Sequence, residues 1–305
     1  IGCGTAVLAM AAAAVLLLAM VLIHSLVAGA VAEQNLARSL TSLAAIPLFL
    51  CGALTLEYAL FNAPASSIDR TCCRLFLLMV AILAVGILEW IPSNMFDLNK
   101  VVFPFAEPSH FALAFTPLLM YCTLRAGTCH RLLIVLLGFV LSYLVENLTM
   151  AVGCLLVAGL CVRVAYWPLA VAALAIATTG LDMSYFTSRL ETGSDSTNLS
   201  ALVYQQGWQL IAESMERSSF FGIGFQQLGE QRTDVAASVR IEQLSGLELN
   251  LRDGSFIVAK LVSEFGVAGM LLVAAAAVVI LAVARRLRSA AQGHASLEPA
   301  MLLAC

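Results

Sequence analysis

Long apolar runs dominate this sequence and restrict the chain to one broad class of fold. About 20 consecutive apolar residues suffice to cross a bilayer as a helix, and several stretches reach or approach that length. Only 11% of the residues are charged, against about 25% in a typical soluble domain. The sequence therefore predicts an all-α, polytopic helical membrane protein. Eight spans are predicted, at about 5–31, 40–61, 75–91, 108–124, 132–145, 148–162, 164–181 and 255–284.

The positions of the arginines predict the orientation of these spans. Positively charged residues accumulate in cytoplasmic loops, and arginines occur in four successive alternate connections or ends. We therefore place spans 1–7 within 1–182, an extracytoplasmic loop at 183–253 and span 8 within 254–288. Residues 289–305 are expected to form a cytoplasmic loop and the start of a further span, so the chain is predicted to lack spans at one or both ends. The arginines behind this assignment are Arg70, Arg74, Arg125, Arg131, Arg163, Arg285, Arg286 and Arg288.

The long polar interval 183–253 carries its own helix signal. Residues 194–198 are a cluster of helix N-cap residue types. Apolar residues then recur at intervals of three and four over about 20 residues, which predicts an amphipathic helix that ends near Arg217. With Tyr204 and Trp208 nearby, this helix is expected to lie along the bilayer surface, or to pack on the ends of the spans. The two placements are compatible.

A glycine loop with neighbouring arginines follows that helix. Gly222 and Gly224 lie among phenylalanines, and glycine accepts positive φ and close approach of other groups to the backbone. The interval contains arginines and no lysine, and the guanidinium group suits bidentate capture of carboxylate or phosphate. Solvated surface arginines are the alternative interpretation. The candidate substrate-binding arginines are Arg189, Arg217, Arg240 and Arg252.

Other ionisable groups lie at or inside the ends of the spans. Glu107 and His110 flank the predicted start of span 4 and are candidate proton acceptors, although Glu107 also suits a helix N-terminus. Lys260 and Glu264 lie four residues apart, which favours a structural ion pair over a substrate contact. His24 interrupts span 1 and is interpreted as a neutral, locally bonded side chain. No zinc-binding spacing occurs among the cysteines.

Three stretches, in this order, resemble the bacterial O-antigen polymerase and O-antigen ligase superfamily. The first, at 105–111, reads Phe-Ala-Glu-Pro-Ser-His-Phe and is similar to the motif that opens a span in polysaccharide polymerases. The second runs from Gly207 to Phe225 and resembles an amphipathic helix followed by a Gly-x-Gly loop. The third runs from Asp253 to Gly269 and resembles the span after the large external loop. Ligases of the family usually have His-Asn where this chain has Asp253-Gly254-Ser255, which favours polymerase over ligase.

The resemblance implies a GT-C-like, metal-independent glycosyltransferase of the bacterial cytoplasmic (inner) membrane, with its active face outside and no cofactor. Its donor would be an oligosaccharide on a polyprenyl diphosphate. A polymerase moves the glycan to a new lipid-linked repeat unit, yielding O-antigen or exopolysaccharide, whereas a ligase moves it to lipid A core. The implied partners are the lipid-linked oligosaccharide and membrane lipid. The resemblance also allows a chain-length regulator protein as a partner, and it implies no nucleic acid.

The chemistry can also be argued from residue types alone. Displacement of a diphosphate from an anomeric carbon requires neutralisation of the leaving charge, which positioned arginines provide. The acceptor hydroxyl must also lose a proton, which a carboxylate or histidine accepts. A transporter or flippase is the alternative from another class, but such proteins often contain paired broken spans at matching positions, and no such pairing is found in this sequence.

Overall fold

The computed structural model describes residues 3–29, 35–88, 102, 104–105, 107–168, 182–190, 197–230 and 235–292. Within these ranges the chain is helical, apart from loops and one isolated β-bridge between Val102 and Phe105. The helices are α1 (Cys3–Gly29), α2 (Leu36–Asn62), α3 (Ala65–Ile87), α4 (Pro108–Arg125), α5 (Thr128–Leu144), α6 (Leu148–Cys161), α7 (Ser184–Leu190), α8 (Leu199–Arg217), α9 (Ala236–Ser245) and α10 (Ile257–Ala291), with a 3₁₀ turn at Val164–Tyr166.

Three of the described helices are long and apolar enough to cross a membrane: Ala37–Asn62, Ala65–Ile87 and Ile257–Ala291. Shorter apolar helices occur at Ala14–Ala28, Cys129–Leu144 and Leu148–Cys161. This all-helical architecture fits a helical membrane protein. The eight-span count and the GT-C-like arrangement stay predictions, and most of predicted span 7 lies outside the described residues.

The chain divides into two compact units. The bundle unit comprises Tyr58–Thr187 and Ile280–Cys305, and the loop unit comprises Ile1–Glu57 and Ser188–Val279.

In the bundle unit, α4 lies at the centre and packs against α3, α5 and α6. Phe111, Phe115 and Leu119 on α4 are fully buried. Gly153 on α6 faces Thr116 on α4 so closely that an added Cβ would clash with the threonine side chain. Small residues at helix contacts allow this close approach in membrane proteins, so the buried face of α4 depends on side-chain size as well as on apolar character.

Polar contacts fix the two ends of the bundle unit. At one end, the Asn147 side chain caps α6 by accepting a hydrogen bond from the Met150 N–H, and it donates to the Pro108 carbonyl oxygen at the start of α4. At the other end, the Arg131 guanidinium donates to the carbonyl oxygens of Leu124 and Cys161. It also donates to the carbonyls of Ala126 and Ala291. The C-terminal ends of α4, α6 and α10 therefore meet at Arg131.

In the loop unit, α8 is the amphipathic helix that the sequence predicts. Asn198 caps it, with its side chain accepting a hydrogen bond from the Ser200 N–H, and the helix ends at Arg217. Leu202, Leu210 and Met215 of the predicted apolar stripe are buried, so the helix packs on protein with this face. Tyr204 and Trp208 remain half exposed and lie against Phe256.

Two boundaries differ from the sequence prediction. The predicted loop at 62–74 is wrong, because α3 begins at Ala65 and places Arg70 and Arg74 on the helix. The polar residues there suggest a loop by composition alone. They form the first turns of α3, in which the Asp69 carboxylate accepts hydrogen bonds from Arg125 and from the Tyr121 hydroxyl.

The other difference concerns the last predicted span. α10 continues past Ala284 to Ala291 and is broken at Gly266 (φ 58°, ψ −132°), which is not a helical conformation. Helix α9 was not predicted at all; it buries Ile241 and ends at Gly246 with φ 70°.

Candidate functional site

The glycine loop after α8 is held in the break of α10. The N–H groups of Ile223 and Gly224 donate to the carbonyl oxygens of Ser263 and Glu264, both at 3.0 Å. The Val267 N–H donates to the Phe220 carbonyl oxygen, also at 3.0 Å. A break at Gly266 frees these groups of α10 from their helical partners, and the loop supplies replacements. We call this pairing of 220–224 with 263–267 the joint.

Glycine is required on both sides of the joint. Gly222 and Gly224 have φ of 96° and 103°, as the sequence predicts. A Cβ on Gly222 would lie 2.5 Å from the Glu264 carbonyl oxygen, and a Cβ on Gly266 would overlap the backbone of Phe220 and Phe221. The close approach that glycine permits therefore serves backbone-to-backbone pairing within the protein.

A Schellman motif leads the chain from α8 into the loop. The Phe220 N–H donates to the Met215 carbonyl oxygen and the Ser219 N–H to the Glu216 carbonyl oxygen. Ser219 has φ 50°, in the left-handed region that this motif needs. The end of α8 therefore fixes the direction in which Phe220 and Phe221 leave the helix.

His24 on α1 also contacts the joint. Its Nε2 lies 3.0 Å from the Phe221 carbonyl oxygen, and its ring stacks on the Phe221 ring at a centroid distance of 4.7 Å. The imidazole is buried and also contacts Phe265. The prediction of a locally bonded histidine is wrong, since its partner lies 197 residues away in sequence.

Glu264 is buried beside the joint at 1% exposure. Its carboxylate interacts with the backbone N–H groups of Gln226 and Leu228, and its Oε1 lies 3.9 Å from the Lys260 ammonium. The predicted Lys260–Glu264 ion pair is therefore present. Removal of an ionised carboxylate from water is costly unless partners compensate. The loop N–H groups and the lysine compensate only in part, because Oε1 has no hydrogen-bond partner among the described residues.

Arg38, Arg252 and Lys260 form a cation cluster next to this carboxylate. The Arg38 guanidinium and the Lys260 ammonium both donate to the carbonyl oxygen of Arg252, at 2.9 and 3.1 Å. Arg38 also donates to the Leu228 carbonyl oxygen at 2.8 Å. The cluster therefore joins the start of α2 to residues 228 and 252, near the two ends of the segment that connects the glycine loop to α10.

Acidic groups accompany the three cations. The Glu230 carboxylate lies 3.1 Å from Arg38 and 3.8 Å from Arg252, and Asp253 lies 3.8 Å from Lys260. A hydrogen bond from the Asn35 side chain, followed by the charges of Arg252 and Arg38, lowers the pKa of Glu230. The Arg252 and Asp253 side chains are the most open of the group, at 69% and 81% exposure.

The other candidate arginines lie apart from the cation cluster. Arg217 pairs with Glu213 at 3.1 Å across one helical turn. Arg189 donates to the Ser200 hydroxyl at 2.6 Å, at the start of α8. Arg240 lies on α9, with no ion pair to any other residue that the structure describes. Of the predicted arginines, Arg252 alone joins the cation cluster.

Glu107 and His110 belong to the bundle unit, at the start of α4. Glu107 is the N-cap residue, but its carboxylate accepts a hydrogen bond from the Ser109 hydroxyl at 2.9 Å and none from the helix N–H groups. Both side chains are exposed. Glu107 therefore occupies the N-terminus of α4, where a negative charge is favourable, and its role as a proton acceptor stays a prediction.

Sequence analysis missed Arg38 and the two glutamines Gln226 and Gln227. The side chain of Gln227 is buried and donates to Ser39 at 2.7 Å, and that of Gln226 accepts from Lys260 at 3.3 Å. The available signal is the Asn35–Arg38 pair just before an apolar run.

The apolar helices fit a helical membrane protein. The cation cluster lies beside the start of α10, the longest helix among the described residues. Among the described residues, no three His, Cys, Asp or Glu side chains are grouped so as to hold a metal ion. No family model, curated protein or solved structure matches this chain.

Proposed function

We propose that this protein polymerises polyprenyl-diphosphate-linked oligosaccharide repeat units into a surface polysaccharide at the outer face of the bacterial cytoplasmic membrane. The observation that carries the proposal is the cation cluster. Two of its cations share the Arg252 carbonyl oxygen, and two share Glu230. A diphosphate next to apolar helices is the ligand that such a cluster suits, because guanidinium groups bind phosphate oxygens in bidentate fashion.

In the proposed reaction, the acceptor hydroxyl oxygen attacks the anomeric carbon of the donor. The bond from that carbon to the diphosphate oxygen breaks, and the polyprenyl diphosphate leaves with the bonding electrons. Arg252, assisted by Lys260, neutralises the departing charge. The hydroxyl proton passes to a carboxylate or an imidazole, for which Glu107 and His110 are the candidates that the sequence predicts. Arg189, Arg217 and Arg240 are proposed to contact the glycan or the phosphates, on an eight-span, GT-C-like scaffold with 183–253 outside.

Purified protein in lipid nanodiscs, supplied with one defined lipid-linked repeat unit, tests the proposal. The wild-type protein is expected to yield a ladder of longer lipid-linked glycans. Arg252→Lys and Arg252→Ala are both expected to slow the reaction by about ten- to a hundredfold, since loss of a charged hydrogen bond costs about 1.5–3 kcal/mol. Arg74→Ala, an exposed arginine on α3 outside the proposed site, is the control and is expected to retain full activity.

Glu107→Gln in the same assay tests the proton acceptor. Loss of polymer with normal protein yield supports a catalytic role for Glu107, and unchanged activity moves that role to His110. If no ladder forms with any repeat unit but glycan is transferred to added lipid A core, the protein is a ligase. If the lipid-linked glycan only changes leaflet, it is a transporter.

A further inference from the structure

We infer that the hydrocarbon boundary of the bilayer meets α10 at the Gly266 break rather than at the start of the helix, and that Phe220 and Phe221 contact lipid at that boundary. The partner of this surface is the membrane itself, at the level where acyl chains meet the headgroup layer. The inference does not depend on the proposed enzymatic function.

The exposure of side chains along α10 changes at the break. Before Gly266, the apolar residues Ala259, Val262 and Phe265 are covered by protein, and Ile257 at the first helical position is the one exposed apolar residue of that segment. After it, Met270 and Leu271 are 50% and 66% exposed, and exposed apolar residues continue to Leu281. Large continuous apolar surfaces are rare in contact with water, so we assign lipid as the cover of the segment after the break.

The length of that segment supports the same boundary. At 1.5 Å per residue, the stretch 267–284 is about 27 Å long, close to the hydrocarbon thickness of about 30 Å. Arg285 and Arg286 follow it directly. A span that began at Ile257 would be about 42 Å long by the same rise per residue, well beyond the hydrocarbon layer.

The ionisable side chains in the first part of α10 lie on the side of the break that is assigned to the headgroup layer. Lys260 and Glu264 both precede the break, and the lysine side chain reaches back to the Arg252 carbonyl and to Asp253. Ionisable groups are expensive in the hydrocarbon layer, and this boundary leaves both outside it. Within lipid, every backbone polar group must be satisfied internally, and the joint meets that requirement where the helix is interrupted.

Helix α2 changes its exposure at the same loop. The Ser39 hydroxyl is buried and donates to the Phe225 carbonyl oxygen at 2.8 Å. Leu40, the next residue, is 58% exposed, and so are many apolar residues after it. The loop 220–225 therefore lies beside the points where exposed apolar residues become frequent along α2 and α10.

Phe220 and Phe221 are the side chains that this loop presents outward, at 61% and 43% exposure. Aromatic residues combine a large apolar surface with tolerance of the interfacial region. An exposed pair at the level of the break is thus suited to the acyl-chain end of the headgroup layer.

Single cysteines in a background without the nine native cysteines test the boundary. Ile257→Cys and Leu271→Cys are a matched pair, since both native side chains are well exposed at 75% and 66%. In nanodiscs, a charged maleimide is expected to label Ile257→Cys and not Leu271→Cys, and both are labelled after denaturation in SDS. Protection of both would place the boundary at the start of α10, and labelling of both would show that lipid does not cover the later segment. Either result overturns the inference.

Fluorescence quenching tests the lipid contact directly. In a protein whose native tryptophans are replaced by phenylalanine, Phe220→Trp is expected to be quenched more by lipids brominated near the headgroup than by lipids brominated near the chain end. No quenching by either lipid would overturn the contact. Stronger quenching by the deeper bromine would place the loop inside the hydrocarbon layer and also contradict the boundary. Neither experiment requires activity, so its failure is distinct from failure of the proposed function.

Discussion

Substitution of Gly266 by alanine tests whether the joint holds the loop unit together. The added Cβ would overlap the backbone of Phe220 and Phe221, and a non-glycine residue in a sparsely populated conformation costs about 1–3 kcal/mol. If the loop moves away, three backbone hydrogen bonds are lost, each worth about 0.5–1.5 kcal/mol. If residue 266 keeps its broken conformation while the loop moves away, the lower limits of the two costs add to about 2.5 kcal/mol.

The measurement is the thermal unfolding of purified protein in detergent, followed by the loss of monodisperse protein on heating. A destabilisation of that size lowers the melting temperature by about 4 °C in a chain of this size. Gly52→Ala is the matched control, because nothing lies within 4 Å of the added Cβ. That variant is expected to be neutral or more stable by about 0.5–1 kcal/mol, as for glycine in a helix interior. A melting temperature of Gly266→Ala equal to that of the wild-type protein would refute the role assigned to the joint.

Three further substitutions test other parts of the structure by the same measurement. Asn198→Ala removes the cap of α8 and is expected to cost about 0.5–2 kcal/mol, whereas Asn198→Asp, which keeps the accepting oxygen, is expected to recover part of that loss. Arg131→Lys loses guanidinium hydrogen bonds to the ends of several helices and is expected to cost about 1.5–3 kcal/mol, while Arg163→Lys, on an exposed arginine, stays within about 0.5 kcal/mol of wild type. The pKa of Glu230 is lowered in the folded protein, so its charge stabilises the fold above its unfolded pKa and the contribution is lost as the pH falls through its folded pKa. Melting temperatures of wild type and Glu230→Gln are therefore expected to differ at pH 7 and to converge towards pH 3, and a constant difference would contradict the assignment.

Local signals in the sequence were sufficient for several elements. The cluster of N-cap residue types at 194–198, the periodic apolar residues after it and the predicted end near Arg217 agree with the observed helix α8. Pro108 predicts the start of α4, because proline fits the first helical turn. These features depend on neighbours a few residues apart, which a sequence displays directly.

The candidate site depends on contacts that are distant in sequence. Arg38 meets Leu228 and Arg252 across 190 and 214 residues, and no periodicity or motif encodes such a pairing. The break at Gly266 was hidden for a related reason, since an apolar segment with one glycine has the same hydropathy whether it is straight or interrupted. The early start of α3 was missed because its first turns are polar, although polar side chains form helices readily when they find partners such as Arg125.

The joint also has a consequence for biosynthesis. Phe220 leaves the ribosome before Gly266, and His24 and Arg38 leave far earlier, so none of these residues has its partner when it first reaches the membrane. Until residues 263–267 arrive, the loop lacks acceptors for Ile223 and Gly224, and the start of α2 lacks the carbonyl oxygens that Arg38 binds. Non-local contacts of this kind form slowly, because chain entropy must be lost before they contribute. The loop unit therefore completes its fold late, after insertion of α10. In a chain truncated before residue 266, the glycine loop has no partner in α10 when synthesis ends.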